Sequence, residues 1–133
     1  MQMVVDTSVI LAVLISEPER DQIVSMTLNV GLLAPQSVHW EVGNALSAMI
    51  KRKRITTAQA MKALDAYEKI PIRFVETSLH EAVAIAAKQN LYAYDAYLVA
   101  CAKEQHCSLI SLDKALLTAA KAAGVAVVEV PKA

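Results

Sequence analysis

The chain has 133 residues, of which 56% are hydrophobic and 20% charged, so it suits one well-filled core and makes a second domain improbable. Thirteen basic residues balance thirteen acidic ones, and this zero net charge excludes a general attraction for nucleic acid or anionic membranes. A polyanion would have to be held by a local patch.

The cysteines and the N-terminus give no sign of export. Cys101 and Cys107 match no metal-binding spacing, and a core this apolar needs no disulfide. The first apolar run lacks a preceding cationic stretch and is interrupted by Asp6, which argues against a signal peptide. The uncharged stretch 22–40 is too polar for a membrane span. We therefore expect one soluble domain over residues 1–133, in a reducing cytoplasm and without a membrane partner.

Short β-branched runs alternate with longer helical runs, a pattern typical of a parallel sheet covered by helices. In the first half of the chain, Thr56 and Gln59 form a capping box and Pro71 blocks the helix that follows. The predicted strands there are 3–6 and 32–34. The predicted helices are about 7–15, from Pro18 toward Asn29 with Gly31 ending it, 37–51 and 56–69.

The second half continues the alternation. Ser78 and Glu81 form another capping-box signature, and Asn90 can end the helix that they open. The predicted strands are 72–75, 107–111 and 125–130, and the predicted helices are 78–90, about 95–105 and 113–123. The expected fold class is therefore α/β, with a parallel sheet of about five strands covered by about seven helices.

Four acidic residues stand where predicted strands end or helices lie: Asp6, Glu41, Asp95 and Asp113. Two of them, Asp6 and Asp113, follow strands, and ligands bind outside the carboxyl ends of parallel strands, where helix N-termini converge. Several carboxylates in one cleft repel each other unless a hard divalent ion lies between them. The pattern therefore predicts metal-dependent phosphoryl chemistry.

Each acid also has a structural explanation when taken alone. Asp6, Asp95 and Asp113 can cap a helix or lie in its first turn, where a carboxylate is favoured by the helix dipole. Glu41 lies near the apolar stripe of a helix, where desolvation without a partner costs several kcal/mol, although a lysine could compensate. Only the combination of all four favours a functional site.

Four segments around these acids resemble the PIN-domain ribonucleases, most of all the small VapC toxins: Val4–Ser8, Glu41–Asn44, Tyr94–Ala100 and Leu109–Asp113. The resemblance runs from Met3 to about Val128 and implies a PIN-like three-layer α/β/α fold. It further implies an Mg²⁺- or Mn²⁺-dependent endoribonuclease that forms a homodimer and is the toxin of a toxin–antitoxin pair. A cognate antitoxin protein would neutralise it.

The same resemblance implies roles for individual residues. Asp6 and Asp95 are expected to be the principal metal ligands, with Glu41 and Asp113 completing the acidic cluster. Supporting hydrogen bonds are expected from Thr7, Ser8, Asn44 and Ser111, the last standing where many relatives have Thr. Independently of the resemblance, an all-carboxylate ligand set suits Mg²⁺ or Mn²⁺, whereas zinc prefers histidine or thiolate ligands.

RNA approaching an acidic site needs cations nearby. The only dense basic run, at the tip of a predicted helix hairpin, consists of Lys51, Arg52, Lys53 and Arg54. These residues either contact phosphates or are simply solvated, and Lys114 is a second candidate with the same two interpretations. Tyrosines flank Asp95 at positions 92, 94 and 97, where stacking on bases competes with core packing or a dimer contact.

Two other functions remain open. A haloacid-dehalogenase-like phosphatase also has an aspartate after its first strand, but its Asp-x-Asp motif is absent because residue 8 is Ser. A catalytically inactive module that binds RNA or protein would use the acids only structurally. Loss of function in such modules usually removes one acid, and none is missing here.

Overall fold

The structure is a computed structural model and describes residues 1–132. Its five strands are β1 Gln2–Val5, β2 Gly31–Pro35, β3 Ile72–Val75, β4 Ser108–Ser111 and β5 Val127–Glu129. Its seven helices are α1 Thr7–Leu14, α2 Arg20–Met26, α3 Gln36–Lys51, α4 Thr57–Glu68, α5 Leu79–Gln89, α6 Ala93–Glu104 and α7 Lys114–Ala122. The predicted number and order of elements are confirmed.

The strands form one fully parallel sheet in the order β3-β2-β1-β4-β5. The chain moves one way from β1 to β3 and then returns past β1 to β4 and β5. Because parallel crossovers are right-handed, the reversal moves the connecting helices to the opposite face. Accordingly α1 packs with α2, α3 and α4, whereas α5 packs with α6, giving three layers.

Helix α6 lies over the centre of the sheet, in contact with β1, β2 and β4. Six of its twelve residues are buried, and they are nearly all small or aliphatic, which lets the helix approach the strands closely. The apolar core they join is continuous through the strands and both helical layers. Asp95 lies in the first turn of this rigid element.

Several element ends differ from the prediction. Helix α2 begins at Arg20 and ends at Met26. Just after its end, the Thr27 hydroxyl donates to the carbonyl of Ile23 and Asn29 adopts a left-handed conformation. Gly31 therefore opens β2 and does not end the helix. Helix α6 starts two residues before Asp95, and β5 pairs with β4 over three residues only.

One of the two predicted capping boxes forms completely. The side chains and backbone amides of Thr56 and Gln59 bond reciprocally at the start of α4. At α5 the Ser78 hydroxyl accepts from the amide of Glu81, but the amide of Ser78 donates to Glu104 Oε1 at 3.0 Å. This second bond ties α5 to α6, which replaces the local reciprocal bond by a tertiary one.

The sheet order determines where a ligand can bind. The connections that follow β1 and β4 leave in opposite directions along the sheet. A crevice forms outside the carboxyl ends of two such adjacent strands. Asp6 follows β1 and Asp113 follows β4, so both acids border this crevice. Within residues 1–132, no helix has the length and apolar character needed to cross a bilayer.

Candidate active site

The four acids reach the crevice from four different elements. Asp6 is the N-cap of α1 and Asp113 is the N-cap of α7, while Glu41 lies within α3 and Asp95 in the first turn of α6. Only Asp6 is fully buried, with 7% of its surface exposed, and Asp113 is the most open of the four. The arrangement forms an acidic crevice at the reversal point of the sheet.

The carboxylates interact electrostatically with one another. Burial, followed by the negative charges of Asp6 and Asp95, raises the pKa of Glu41 from 4.5 to about 7. Burial, followed by the charges of Asp113 and Asp6, likewise raises the pKa of Asp95. Glu41 is thus within electrostatic reach of Asp6 and Asp95, and Asp95 within reach of Asp6 and Asp113.

Two serine hydroxyls hold one oxygen of Asp6. Ser8 Oγ donates to Asp6 Oδ2 at 2.8 Å and Ser111 Oγ donates to the same atom at 2.7 Å. The two serine oxygens in turn accept from the backbone amides of Leu112 and Asp113, at 3.1 and 2.9 Å. An amide can only donate, so both hydroxyl protons must point at Asp6.

This hydrogen-bond network fixes the rotamer of Asp6 and ties it to the loop after β4. No hydrogen bond within residues 1–132 engages Asp6 Oδ1, which leaves that oxygen available to a ligand. Ser8 and Ser111 thus both donate to Asp6 in the structure. The link from Ser8 to the amide of Leu112 was not predicted, because it depends on β1 and β4 being neighbours in the sheet.

Asp113 has a structural role that the sequence analysis also proposed. Its Oδ1 accepts from the amide of Leu116 at 3.1 Å, which makes it a side-chain cap of α7. Its charge nevertheless contributes to the raised pKa of Asp95. Asp113 therefore both caps α7 and belongs to the acidic crevice.

Two buried oxygen atoms at the crevice have no hydrogen-bond partner: Glu41 Oε1 and Thr7 Oγ1. A buried acceptor without a partner is costly, and a cation would satisfy the carboxylate oxygen. Among residues 1–132, no three His, Cys, Asp or Glu side chains converge into a ready-made metal cluster. The acids are thus coupled by charge, with their side chains not gathered around one point.

The remaining predicted residues lie farther from the crevice or at its edge. Asn44 is exposed on α3, and no hydrogen bond joins it to the acids within residues 1–132. Lys51 to Arg54 are all exposed at the α3–α4 hairpin tip, about 15 Å along α3 from Glu41 at 1.5 Å per residue. Arg54 lies 4.0 Å from Glu17, and Lys114 is exposed beside a small cavity that also contacts Ser111.

The Ser111 hydroxyl offers a direct test of the network around Asp6. Ser111→Ala removes a donor to a buried carboxylate and an acceptor for the amide of Asp113, so we expect the unfolding free energy to fall by about 1–3 kcal/mol. Ser111→Thr keeps the hydroxyl and should retain most of this stability. Urea denaturation measures the difference, with the exposed Ser47→Ala as control. An equal stability of Ser111→Ala and wild type would contradict the network.

Comparison with known proteins identifies the family. Ribonuclease VapC9 of Mycobacterium tuberculosis is 30% identical over 111 residues, which cover 83% of this chain and 84% of that protein. PAE2754 from Pyrobaculum aerophilum has the same fold, with a TM-score of 0.73 at 22% identity over 98% of this chain and 92% of that one.

A further structural match is VapBC2 from Rickettsia felis, solved with a DNA fragment from its promoter. Its TM-score is 0.69 at 11% identity, covering 97% of this chain and 98% of the other, which again concerns the fold alone. The PIN domain family model matches residues 3–122, a span that contains all four acids. The chain therefore belongs to the PIN domain family.

Proposed function

We propose that this protein is a metal-dependent endoribonuclease and the toxin of a VapBC-type toxin–antitoxin pair. The observation that carries the proposal is the coupling of Asp6, Glu41, Asp95 and Asp113 at the reversal point of the sheet. The 30% identity to VapC ribonucleases over most of the chain supports the same activity. The continuous core and single sheet support one domain over residues 1–133.

The residues present fit a divalent cation. Asp6 and Asp95 would be its principal ligands, with Glu41 and Asp113 completing the set, and the orphaned Glu41 Oε1 is an acceptor that such an ion satisfies. Carboxylate oxygens suit Mg²⁺ or Mn²⁺. When bound, the ion supplies charge stabilisation and an activated water for hydrolysis of a phosphodiester bond.

The chain's own side chains prepare this site. Ser8 and Ser111 both donate to Asp6 Oδ2, which fixes the rotamer of Asp6 and leaves its Oδ1 free to bind the ion. Thr7, with its buried and unpartnered hydroxyl, is available for a further supporting bond, and the exposed Asn44 on α3 would contribute its side-chain amide. Helix α6, rigid in the core, holds Asp95 in position.

The basic hairpin tip provides a testable contribution to RNA binding. Replacing Lys51 and Arg52 by Ala should weaken RNA binding and reduce its salt dependence by about one unit of log–log slope for each lost phosphate contact. Filter binding at several salt concentrations measures this slope. Lys62→Ala, an exposed cation on α4, is the matched control. An unchanged slope in the double variant would show that the tip is only solvated.

The proposed protein partners are a cognate antitoxin and a second copy of this chain. Helix α5 has Leu79 and Val83 exposed by 64% and 58% four residues apart, so they form one apolar stripe suited to a homodimer. A monomer in sedimentation at micromolar concentration would contradict the dimer. With RNA as substrate, we propose action in the cytoplasm.

The alternatives make different predictions in one experiment. Purified protein incubated with total RNA should release fragments in Mg²⁺ or Mn²⁺ and none in excess EDTA. A catalytically inactive binding module would leave the RNA intact under both conditions. A phosphatase of the haloacid dehalogenase type would instead transfer phosphate to Asp6, which trapping of a phosphoprotein detects. Intact RNA in the presence of the metal would overturn the proposed activity.

A further inference from the structure

A serine one turn before Glu41 has a buried hydroxyl that the fold leaves unpaired. Ser37 lies in the first turn of α3, and its Oγ has almost no exposed surface and no hydrogen-bond partner among the residues that the structure describes. Burying a hydroxyl without a partner destabilises a protein, so each such group needs an explanation. Beside a site of acidic residues, a functional contact is one explanation.

Neither helix capping nor solvent explains this serine. The N-cap of α3 is Pro35, and no side chain makes a cap hydrogen bond there. Ser37 borders a cavity of about 290 Å³ at the carboxyl ends of β2 and β3, but its Oγ is itself not exposed. The oxygen therefore faces protein atoms and not the water of that cavity.

Glu41 is the polar side chain that helix geometry brings to Ser37. Residues four apart lie on one face of a helix, with their Cβ atoms about 5–6 Å apart. Helical side chains also lean toward the N-terminus, so Glu41 covers the turn of α3 that contains Ser37. Glu41 Oε1 is likewise buried without a partner in the part of the chain that the structure describes. An unpaired donor and an unpaired acceptor thus lie one turn apart on the same face.

The contacts of Asp6 show what a serine can do for a carboxylate at this site. Ser8 and Ser111 donate to one oxygen of Asp6, which fixes its rotamer. A carboxylate oxygen has two lone pairs, so it can accept from a hydroxyl and contact a cation at the same time. A hydrogen bond from Ser37 to Glu41 Oε1 is therefore compatible with a role of Glu41 as a metal ligand.

We propose that Ser37 is a positioning residue for Glu41, whose Oε1 accepts a hydrogen bond from the Ser37 hydroxyl when the carboxylate binds the divalent ion. This inference rests on the proposed metal-dependent function. Because α3 already sets the four-residue spacing, the bond needs a rotation of side chains and no movement of the backbone. Loss of a residue that orients a metal ligand typically lowers metal affinity by about 10- to 100-fold.

Metal binding without RNA is the direct test. In calorimetric titrations, Ser37→Ala should bind Mn²⁺ about tenfold more weakly than the wild type. Ser37→Thr keeps the hydroxyl and should bind nearly as tightly as the wild type. Ser47→Ala removes a hydroxyl from the exposed face of the same helix and should change nothing. Equal affinities of Ser37→Ala and wild type would overturn this inference alone, whereas a wild type that binds no Mn²⁺ would overturn the proposed function as well.

Two further measurements separate positioning from a structural role. In EDTA, Ser37→Ala should unfold at the same urea concentration as the wild type or a higher one, because it removes a buried hydroxyl without a partner. A lower midpoint in EDTA would show that the serine serves the fold, and the inference would be wrong. In a Glu41→Ala background, Ser37→Ala should not weaken Mn²⁺ binding further, since the acceptor is absent. A full tenfold loss in that background would also contradict the inference.

Discussion

Asp6→Asn and Asp95→Asn should each reduce RNA cleavage by about a thousandfold, the factor expected when several kcal/mol of transition-state stabilisation by a metal ion is lost. Each substitution removes one negative charge and one strong ligand from the acidic crevice while preserving side-chain volume. Cleavage of total RNA in Mg²⁺ or Mn²⁺ measures the effect. Expression of either variant should also fail to arrest growth, in contrast to the wild type.

The structure indicates that both variants will fold. In Asp6→Asn the amide oxygen can still accept from Ser8 and Ser111, so the hydrogen-bond network keeps its acceptor. In Asp95→Asn the loss of a charge relieves repulsion, because Asp113 and Asp6 raise the pKa of Asp95. Thermal unfolding should therefore remain cooperative, with little change in Tm for Asp95→Asn.

A matched variant distinguishes the loss of a ligand from the loss of any carboxylate. Asp65 is exposed on α4, and Asp65→Asn should cleave RNA at the wild-type rate. Full activity in well-folded Asp6→Asn or Asp95→Asn would remove the acidic crevice from the reaction. Loss of activity in all three variants would instead point to a general effect of charge on RNA handling.

The position of the crevice could be anticipated because it depends on the order of elements. Alternating β-branched and helical runs predicted the parallel sheet, and Asp6 and Asp113 follow strands that prove to be neighbours across the reversal point. Glu41 could be singled out because a carboxylate near an apolar stripe is costly to desolvate without a partner. Its raised pKa and orphaned Oε1 agree with that reasoning.

Other features depend on tertiary contacts that no local pattern contains. The hydrogen bond from the amide of Leu112 to the Ser8 hydroxyl joins residues that are 104 positions apart in the chain. The amide of Ser78 donates to the carboxylate of Glu104 and not to that of Glu81, which the capping-box pattern had indicated. The basic tip lies at the end of a helix whose length was predicted, and that length separates the tip from Glu41.

Glu41 should make the stability of the metal-free protein depend on pH. Its pKa rises from 4.5 to about 7 on folding, so between these values the folded state binds more protons than the unfolded state. The unfolding free energy contributed by this group is therefore highest below pH 4.5 and falls as pH rises through about 7. In EDTA the contribution of Glu41 should make the wild type less stable at pH 8.5 than at pH 5.

Glu41→Gln isolates this contribution because glutamine is neutral at every pH. At full burial the shift corresponds to roughly 3 kcal/mol, and solvent screening of a half-buried carboxylate reduces it to about 1–2 kcal/mol. In EDTA the variant should thus exceed the wild type by that amount at pH 8.5 and match it near pH 4.5. Urea denaturation at the two pH values measures the difference, and Glu68→Gln on the exposed face of α4 is the control.

A divalent ion should reverse the ranking at high pH. The ion binds the ionised carboxylate and competes with its proton, so Mn²⁺ should raise the Tm of the wild type more at pH 8.5 than at pH 5.5. Glu41→Gln should lose most of this gain while remaining more stable than the wild type in EDTA. A carboxylate that destabilises the free protein and stabilises the metal complex is retained for binding the ion. Equal responses of both proteins to Mn²⁺ would show that Glu41 is not a ligand.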